Sequence, residues 1–201
     1  MDIPTRQEVK GILAEATGRW RPLLMVAAFC GLRALELRGL RWVDIEAANI
    51  HVRQRADRFN QIGPPKSEAG FRTVPLPSPV AAALDAWRKE CPKGDLVFPN
   101  GSGNVERLSN IVQRGYNPAQ VVAGVTNKDG KAKYGMHALR HFFASWLINR
   151  PADGGLGLPL KTVQERMGHS SVAITGDVYS HLFPRGDDSA ELAAGVNSIL
   201  G

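Results

Sequence analysis

A chain of 201 residues with 43% hydrophobic content can bury one substantial core and is short for two full domains. Its formal net charge of +6 favours an anionic partner, a balance that nucleic-acid-binding proteins share with basic ribosomal and membrane-surface proteins. Cys30 and Cys91 do not look like a disulfide framework, and no stretch has the form of a signal peptide or approaches the ~20 apolar residues of a membrane span, so the expectation is a reduced, cytosolic protein.

Thr5 followed by Glu8 has the form of a capping box, and Val9, Ile12, Leu13 and Ala16 recur on one face of the helix it opens. Residues 21–30, between Gly18 and Gly31, are apolar nearly all round, which predicts a helix central to the core. A third short helix is expected over residues 33–40, after which residues 42–45 turn the chain into extended structure and residues 49–55 alternate as a strand. Residues 61–70 are full of turn formers and residues 71–76 make a second strand candidate. Together they predict a small sheet with a long basic loop.

Ser78 is placed to cap a helix running to about Glu90, with Val80, Leu84 and Trp87 on its buried face, and residues 96–99 form a short buried strand or edge piece. Residues 116–134, rich in Gly, Asn, Lys and Asp, show no periodic apolar face and are expected to form an exposed loop. Residues 136–149 are helical, residues 160–167 form a helix ended by Gly168, and Ser170 is placed to cap a helix bearing Tyr179. After Pro184, the positions Leu192, Val196, Ile199 and Leu200 mark one more amphipathic helix. The series predicts one mostly helical α+β domain with a small antiparallel sheet and a short C-terminal appendage.

The chemistry-bearing residues fall in separate runs: Gly31-Leu32-Arg33-Ala34-Leu35-Glu36, then His137-Ala138-Leu139-Arg140, then Met167-Gly168-His169-Ser170 leading to Tyr179 and His181. Arg33 and Arg140 carry planar forks of donors that match the non-bridging oxygens of a phosphate and stay charged at working pH. Glu36, three residues after Arg33, is spaced to buttress it, and His137, three residues before Arg140, projects from the same side of its helix. His141 and His181 are expected to be structural, the first packing against its helix and the second capping a helix end. His137 and His141 also have the i, i+4 spacing of two metal ligands, but residue 138 is Ala where the glutamate of H-E-x-x-H would stand and no third ligand is evident. No metal or other cofactor is expected.

This order of residues resembles the tyrosine recombinases, the phage integrase family, and the resemblance runs from Ile3 to Pro184. R-x-x-E or H-x-x-R alone occurs by chance; the signal is Arg33, Lys66, His137, Arg140, His169 and Tyr179 together, in order and at plausible intervals. The resemblance implies a catalytic domain over residues 1–184, a tail helix over 185–201, and an N-terminal DNA-clamping domain that this chain does not include. It implies that Tyr179 attacks a DNA phosphorus, forming a 3′-phosphotyrosyl link and freeing a 5′-hydroxyl without metal or ATP. His137 would then assist proton transfer at the tyrosine hydroxyl, and His169 would donate a hydrogen bond to a phosphate oxygen. Lys66 lies in a segment similar to the family's hairpin, which ends in a strand of the type R-x-V-P-L, and it is the candidate general acid for the 5′-oxygen.

The partners so implied are double-stranded DNA, further copies of the chain in a homotetramer on that DNA with weak self-association alone, and accessory DNA-bending proteins; no membrane is implied, and the place of action is the bacterial cytosol at the nucleoid. The function so implied is a site-specific recombinase, an integrase of a phage or other mobile element. Two alternatives share part of the pattern: a type IB topoisomerase, which religates the same strand, and a DNA-binding regulator that no longer cuts. The Gly168-His169-Ser170-Ser171 run and the loop-and-tail layout favour the recombinase over the first, and the intact residue set favours it over the second.

Overall fold

The computed structural model describes residues 2–180 and 189–201. His181 lies outside the described residues, and so do the cap expected of it and the boundary expected after residue 184. Helix α1 (Arg6–Glu15) opens on the expected capping box: Glu8 N–H donates to Thr5 Oγ1 at 3.1 Å and Thr5 N–H donates to Glu8 Oε2 at 2.7 Å. Its buried residues Val9, Ile12 and Leu13 face helix α2 (Trp20–Cys30), the centre of the core. Each of the fully buried Leu23, Leu24 and Val26 contributes ~1.5–3 kcal/mol by leaving water. Gly31 ends α2 at φ 63°, and a Cβ there would lie 2.2 Å from the Phe143 ring, so both the turn and the packing require glycine. That turn delivers Arg33 to the start of helix α3 (Ala34–Gly39).

Residues 42–45 do not simply extend: Trp42–Asp44 is a 3-10 turn, with Asp44 accepting from Arg41, before strand β1 (Ile45–Glu46) begins. The strand expected over residues 49–55 splits into β2 (Asn49–Val52) and β3 (Arg55–Ala56). Strand β3 pairs with β4 (Ile62–Gly63), while β2 is the middle of an antiparallel sheet between β1 and β5 (Arg72–Pro75). The register sets Ile50 against Val74 and Val52 against Arg72, so Ile50, Val52 and Val74 are buried on the core side.

Helix α4 (Ser78–Arg88) begins one residue earlier than expected, with Pro77 and not Ser78 at the cap; proline's fixed φ and missing N–H suit that end of a helix. Residues 116–134 are not all loop. Short helix α5 (Leu108–Asn110), a π-helical stretch (Ile111–Tyr116) and helix α6 (Asn117–Val122) follow one another, burying Ile111, Tyr116 and Ala119. The apolar period is broken there by the wider π turn and by Gln120, which is buried because its amide pairs with the Tyr134 backbone at 2.9 and 2.7 Å. Pro118 sits in the first turn of α6, where its missing donor is tolerated. Only residues 127–133 behave as the exposed loop expected of the whole segment.

Helix α7 (His137–Ile148) packs on α2, with Phe29 edge-on to Trp146 and Phe142 at 5.9 and 6.2 Å. Helix α8 (Leu160–Met167) ends at Gly168, φ 60°, and α9 (Val172–Tyr179) follows after a sharp reversal. The cap of α9 is Ser171, whose Oγ accepts the Ile174 N–H at 3.3 Å, not Ser170. Helix α10 (Ser189–Leu200) leaves Leu192, Val196, Ile199 and Leu200 exposed. The architecture is therefore a mostly helical α+β fold with a small antiparallel sheet, and among the described residues no helix is long and apolar enough to cross a membrane.

Candidate active site

Five segments distant in sequence bring their polar side chains to one place. Arg33 stands at the N-terminus of α3, where its N–H donates to Glu36 Oε2 at 2.8 Å and its Nη1 to Glu36 Oε1 at 2.8 Å. Its Nη2 donates to the Gly168 carbonyl at 3.1 Å, tying the α2–α3 turn to the α8–α9 turn. Arg140, 2% exposed, lies in the core-facing side of α7 and donates to the carbonyls of Gly31 and Met167. Between them the arginines therefore reach the two residues that precede His169. A charge as buried as Arg140 is tolerable only with its donors paired, and the two helix-terminal carbonyls provide that.

Tyr179 closes the group from α9. It is 1% exposed, its ring is stacked on that of His169 at 6.3 Å between centroids, and its Oη lies 2.9 Å from Nδ1 of His141. His141, expected from its position to be a packing residue, is thus the histidine on the tyrosine hydroxyl, and His137, expected there, is one ring further out with its centroid 4.6 Å from that of His141. The two are four residues apart on α7 and face the same side, so sequence spacing alone does not choose between them; the landing point of α9 does. His169 is held by a contact of 2.9 Å between Nδ1 and the buried Thr175 Oγ1, which leaves Nε2 for another partner.

The electrostatics follow from burial among cations. Burial, then the charges of His137 and Arg140, lowers the pKa of His141 to about 4, and burial, then Arg140, Arg33 and Arg72, does the same for His169. His137, the most exposed of the three, is lowered by partial burial and then by Arg140 and Arg33. His141 is therefore neutral near pH 7, and in the Nε2–H tautomer its Nδ1 accepts the Tyr179 proton. Burial raises the pKa of Tyr179 while Arg140 and Arg33 pull it down. Burial would raise Glu36, but hydrogen bonding and charge from Arg72, with the charges of Arg33 and Arg140, bring it to about 2, so it is an anion. Arg140 is lowered to about 9, by burial first and then by Arg33 and Arg72, and is still a cation at neutral pH.

Lys66 is exposed, and among the described residues no hydrogen bond or ion pair holds it. It lines a cleft of about 310 Å³ together with Arg33, Glu36, Arg55 and Gly70. A second cavity of about 370 Å³, walled by Arg38, Arg58 and Arg107, lies on the other side of Leu35. Among the described residues no three His, Cys, Asp or Glu side chains gather as a metal site.

Three guanidinium groups, three histidines and a tyrosine converge on this fold, and the model of the phage integrase family matches residues 4–185. The chain belongs to that family. It is 31% identical over 204 residues to a XerC-like tyrosine recombinase of Caldanaerobacter subterraneus subsp. tengcongensis, covering 89% of this chain and 50% of that protein. It is 26% identical to prophage integrase IntR of Escherichia coli, over 87% of this chain and 46% of the relative. The chain thus spans about half the length of the curated relatives it matches. Among solved structures, the catalytic domain of bacteriophage HP1 integrase superposes with a TM-score of 0.57 at 18% identity, over 98% of this chain and 95% of that one. The Tn1549 transposon integrase, solved in complex with circular intermediate DNA, gives a TM-score of 0.71 at 19% identity, over 98% of this chain and 66% of that one. At such identities these two structures speak for the fold, and it is the fold expected from the family.

Proposed function

We propose that this chain is the catalytic part of a site-specific DNA recombinase, an integrase of a phage or other mobile element. The observation that carries the reading is the buried Tyr179 hydroxyl, 2.9 Å from His141 Nδ1 beside the fixed cations Arg33 and Arg140. In the proposed reaction Tyr179 Oη attacks a DNA phosphorus as its proton passes to His141. The P–O5′ bond breaks, Lys66 gives its proton to the leaving 5′-oxygen, and the strand stays attached as a 3′-phosphotyrosyl ester. Arg33 and Arg140 neutralise the non-bridging oxygens, with His137 and His169 as further donors, so that the protein's own cations do work that metals do in many phosphoryl-transfer sites. The reverse sequence, with a different 5′-hydroxyl as nucleophile, rejoins strands.

Double-stranded DNA as partner is supported by the net charge of +6 and by related recombinases and integrases, including the one solved with DNA. Residues 1–184 form the catalytic unit in this reading and α10 an assembly element, since its apolar stripe, with Ile199 84% exposed, is uncovered in the single chain. A homotetramer on DNA would cover it, and the place of action would be the bacterial cytosol. The test is a nicked suicide substrate, from which the short fragment bearing the freed 5′-hydroxyl diffuses away. A covalent protein–DNA adduct at Tyr179, formed equally well in excess chelator, is the expected result. Binding without any adduct would instead make the chain a regulator, and resealing of the same strand with no exchange would make it a topoisomerase.

A further inference from the structure

Arg72 is the first residue of β5, and strand register turns it inward. Side chains alternate across a strand, so Arg72 shares its face with Val74 and Leu76, both buried in the core. The Arg72 side chain is 5% exposed. A guanidinium there is tolerable only with its donors paired. Nη1 and Nη2 donate to the two Glu36 oxygens at 3.0 and 2.8 Å, Nη1 also to the Gly70 carbonyl at 3.1 Å, and Nε to the Arg166 carbonyl at 2.9 Å.

Those partners lie on three segments, each next to a different group of the proposed chemistry. Glu36 is the carboxylate that grips Arg33. Gly70 closes the loop that carries Lys66, and Arg166 is in the last turn of α8, three residues before His169. The fit is close at Gly168, where an added Cβ would stand 2.8 Å from the Ala69 carbonyl oxygen and 2.9 Å from Arg72 Cδ.

We propose that Arg72 is a positioning residue for the phosphate clamp: its fork sets Glu36, and through Glu36 the plane of the Arg33 guanidinium, while its Nε fixes the turn that presents His169. The proposal rests on the strand-transfer reading above. Each Glu36 oxygen is shared, Oε1 between Nη1 of Arg33 and Nη1 of Arg72, and Oε2 between the Arg33 backbone N–H and Nη2 of Arg72. Removing Arg72 leaves a buried anion whose remaining partners all belong to Arg33, which pulls that guanidinium off the line to the phosphate. Lysine cannot substitute, because a single ammonium cannot span both carboxylate oxygens and two carbonyls.

The experiment is single-turnover cleavage of a nicked suicide DNA by the intact protein, with either a normal scissile phosphate or a methylphosphonate, in which one charged non-bridging oxygen is a neutral methyl group. The neutral substrate needs less guanidinium charge, so it reports on the clamp and not on folding. Arg72→Met is expected to slow cleavage of the normal phosphate by ~10²-fold, the usual worth of one oriented donor, with DNA affinity close to wild type. The deficit should shrink on the methylphosphonate in parallel with that of Arg33→Ala, and Arg72→Met should add nothing in the Arg33→Ala background. Equal deficits on both substrates, or multiplicative effects in the double variant, overturn the proposal. Should Arg72→Met fail to fold, Arg72→Lys, which keeps the charge without the fork, must show the same substrate-dependent deficit or the proposal falls. Absence of an adduct from wild-type protein on either DNA would overturn the strand-transfer reading itself.

Discussion

The Arg140 end of the site and the Lys66 loop are built on opposite terms. Arg140 is sunk in α7 with its donors on the Gly31 and Met167 carbonyls, and its neighbours Arg33 and Glu36 are pinned to each other and to Gly168. Lys66 is exposed on a loop rich in Gly, Pro and Ser. In the proposed reaction the charges that meet the phosphate are therefore in place before DNA arrives and need no reorganisation. In the same proposed reaction Lys66, the proton donor for the leaving oxygen, would be brought into line only once a strand fills the cleft it shares with Arg33. The difference separates two kinds of mutational effect: changes at the buried end act on both fold and rate, and changes in the loop on rate alone.

The largest effect belongs to the nucleophile. Tyr179→Phe removes only the oxygen next to His141, so adduct formation on a suicide substrate should vanish while the DNA dissociation constant stays close to wild type. An adduct surviving in this variant would mean that another residue attacks. The loop gives the next largest. Lys66→Ala should slow cleavage ~10²–10⁴-fold, the range for general acid catalysis, with an unchanged melting temperature. Replacing the bridging 5′-oxygen by sulfur, which departs readily as a thiolate, should largely erase that deficit. If sulfur does not rescue it, Lys66 acts by charge or position, and the acid is to be sought at His137.

Arg140→Lys probes the other side of the comparison. A lysine keeps one charge and loses the fork, leaving at least one of two buried carbonyls unpaired, a loss of ~1–3 kcal/mol in stability that would appear as a lower melting temperature. Cleavage should fall by ~10²–10³-fold, as for removal of one oriented donor, and sulfur at the 5′ position should not restore it. A variant as stable as wild type would contradict the view that Arg140 joins the fold to the site.

Much of this division was legible before the structure, and the exceptions have a common cause. Local chemistry carries its own signature: the Thr5–Glu8 box, the glycines at 31 and 168, and the inward alternation of Ile50 and Val52 each follow from spacing alone. Arg33, Glu36, Arg140, His169 and Tyr179 do meet in one place. From the sequence, His141 reads as a packing residue and Arg72 as no more than a strand position, because the partners of both are set by what lands on them. His141 gains its partner only when α9 folds back onto α7, and Arg72 only when β5 lies against Glu36 and the end of α8. Gln120 hid a buried helix face for the same reason, since a polar side chain looks solvent-facing until the backbone it pairs with is known.

The smallest effect expected is on acid stability, and its sign comes from the histidines. His141 and His169 have their pKa values lowered from 6.5 to about 4 by burial and then by neighbouring positive charge. As pH falls from about 6.5 toward 4, the unfolded chain takes up protons at these rings while the folded chain does not, so the free energy of unfolding falls with pH in that window. Their contribution is complete above about 6.5 and lost by about 4. Glu36, at about 2 against an ordinary 4.5, contributes in full above about 4.5 and loses that contribution as pH falls toward 2, mostly below the histidine window. Both rings are partly open to water, which makes the effect modest. Melting temperatures measured at pH 7.5, 6 and 5 should therefore decline stepwise. In His169→Gln, which cannot take up a proton, the decline should be shallower, while Lys66→Ala, on the exposed loop, should track wild type. A melting temperature flat between pH 6.5 and 5, or a slope unchanged in His169→Gln, would show that these rings take up protons in the folded protein as readily as in the unfolded chain, and so that burial among cations does not hold them neutral below pH 6.5.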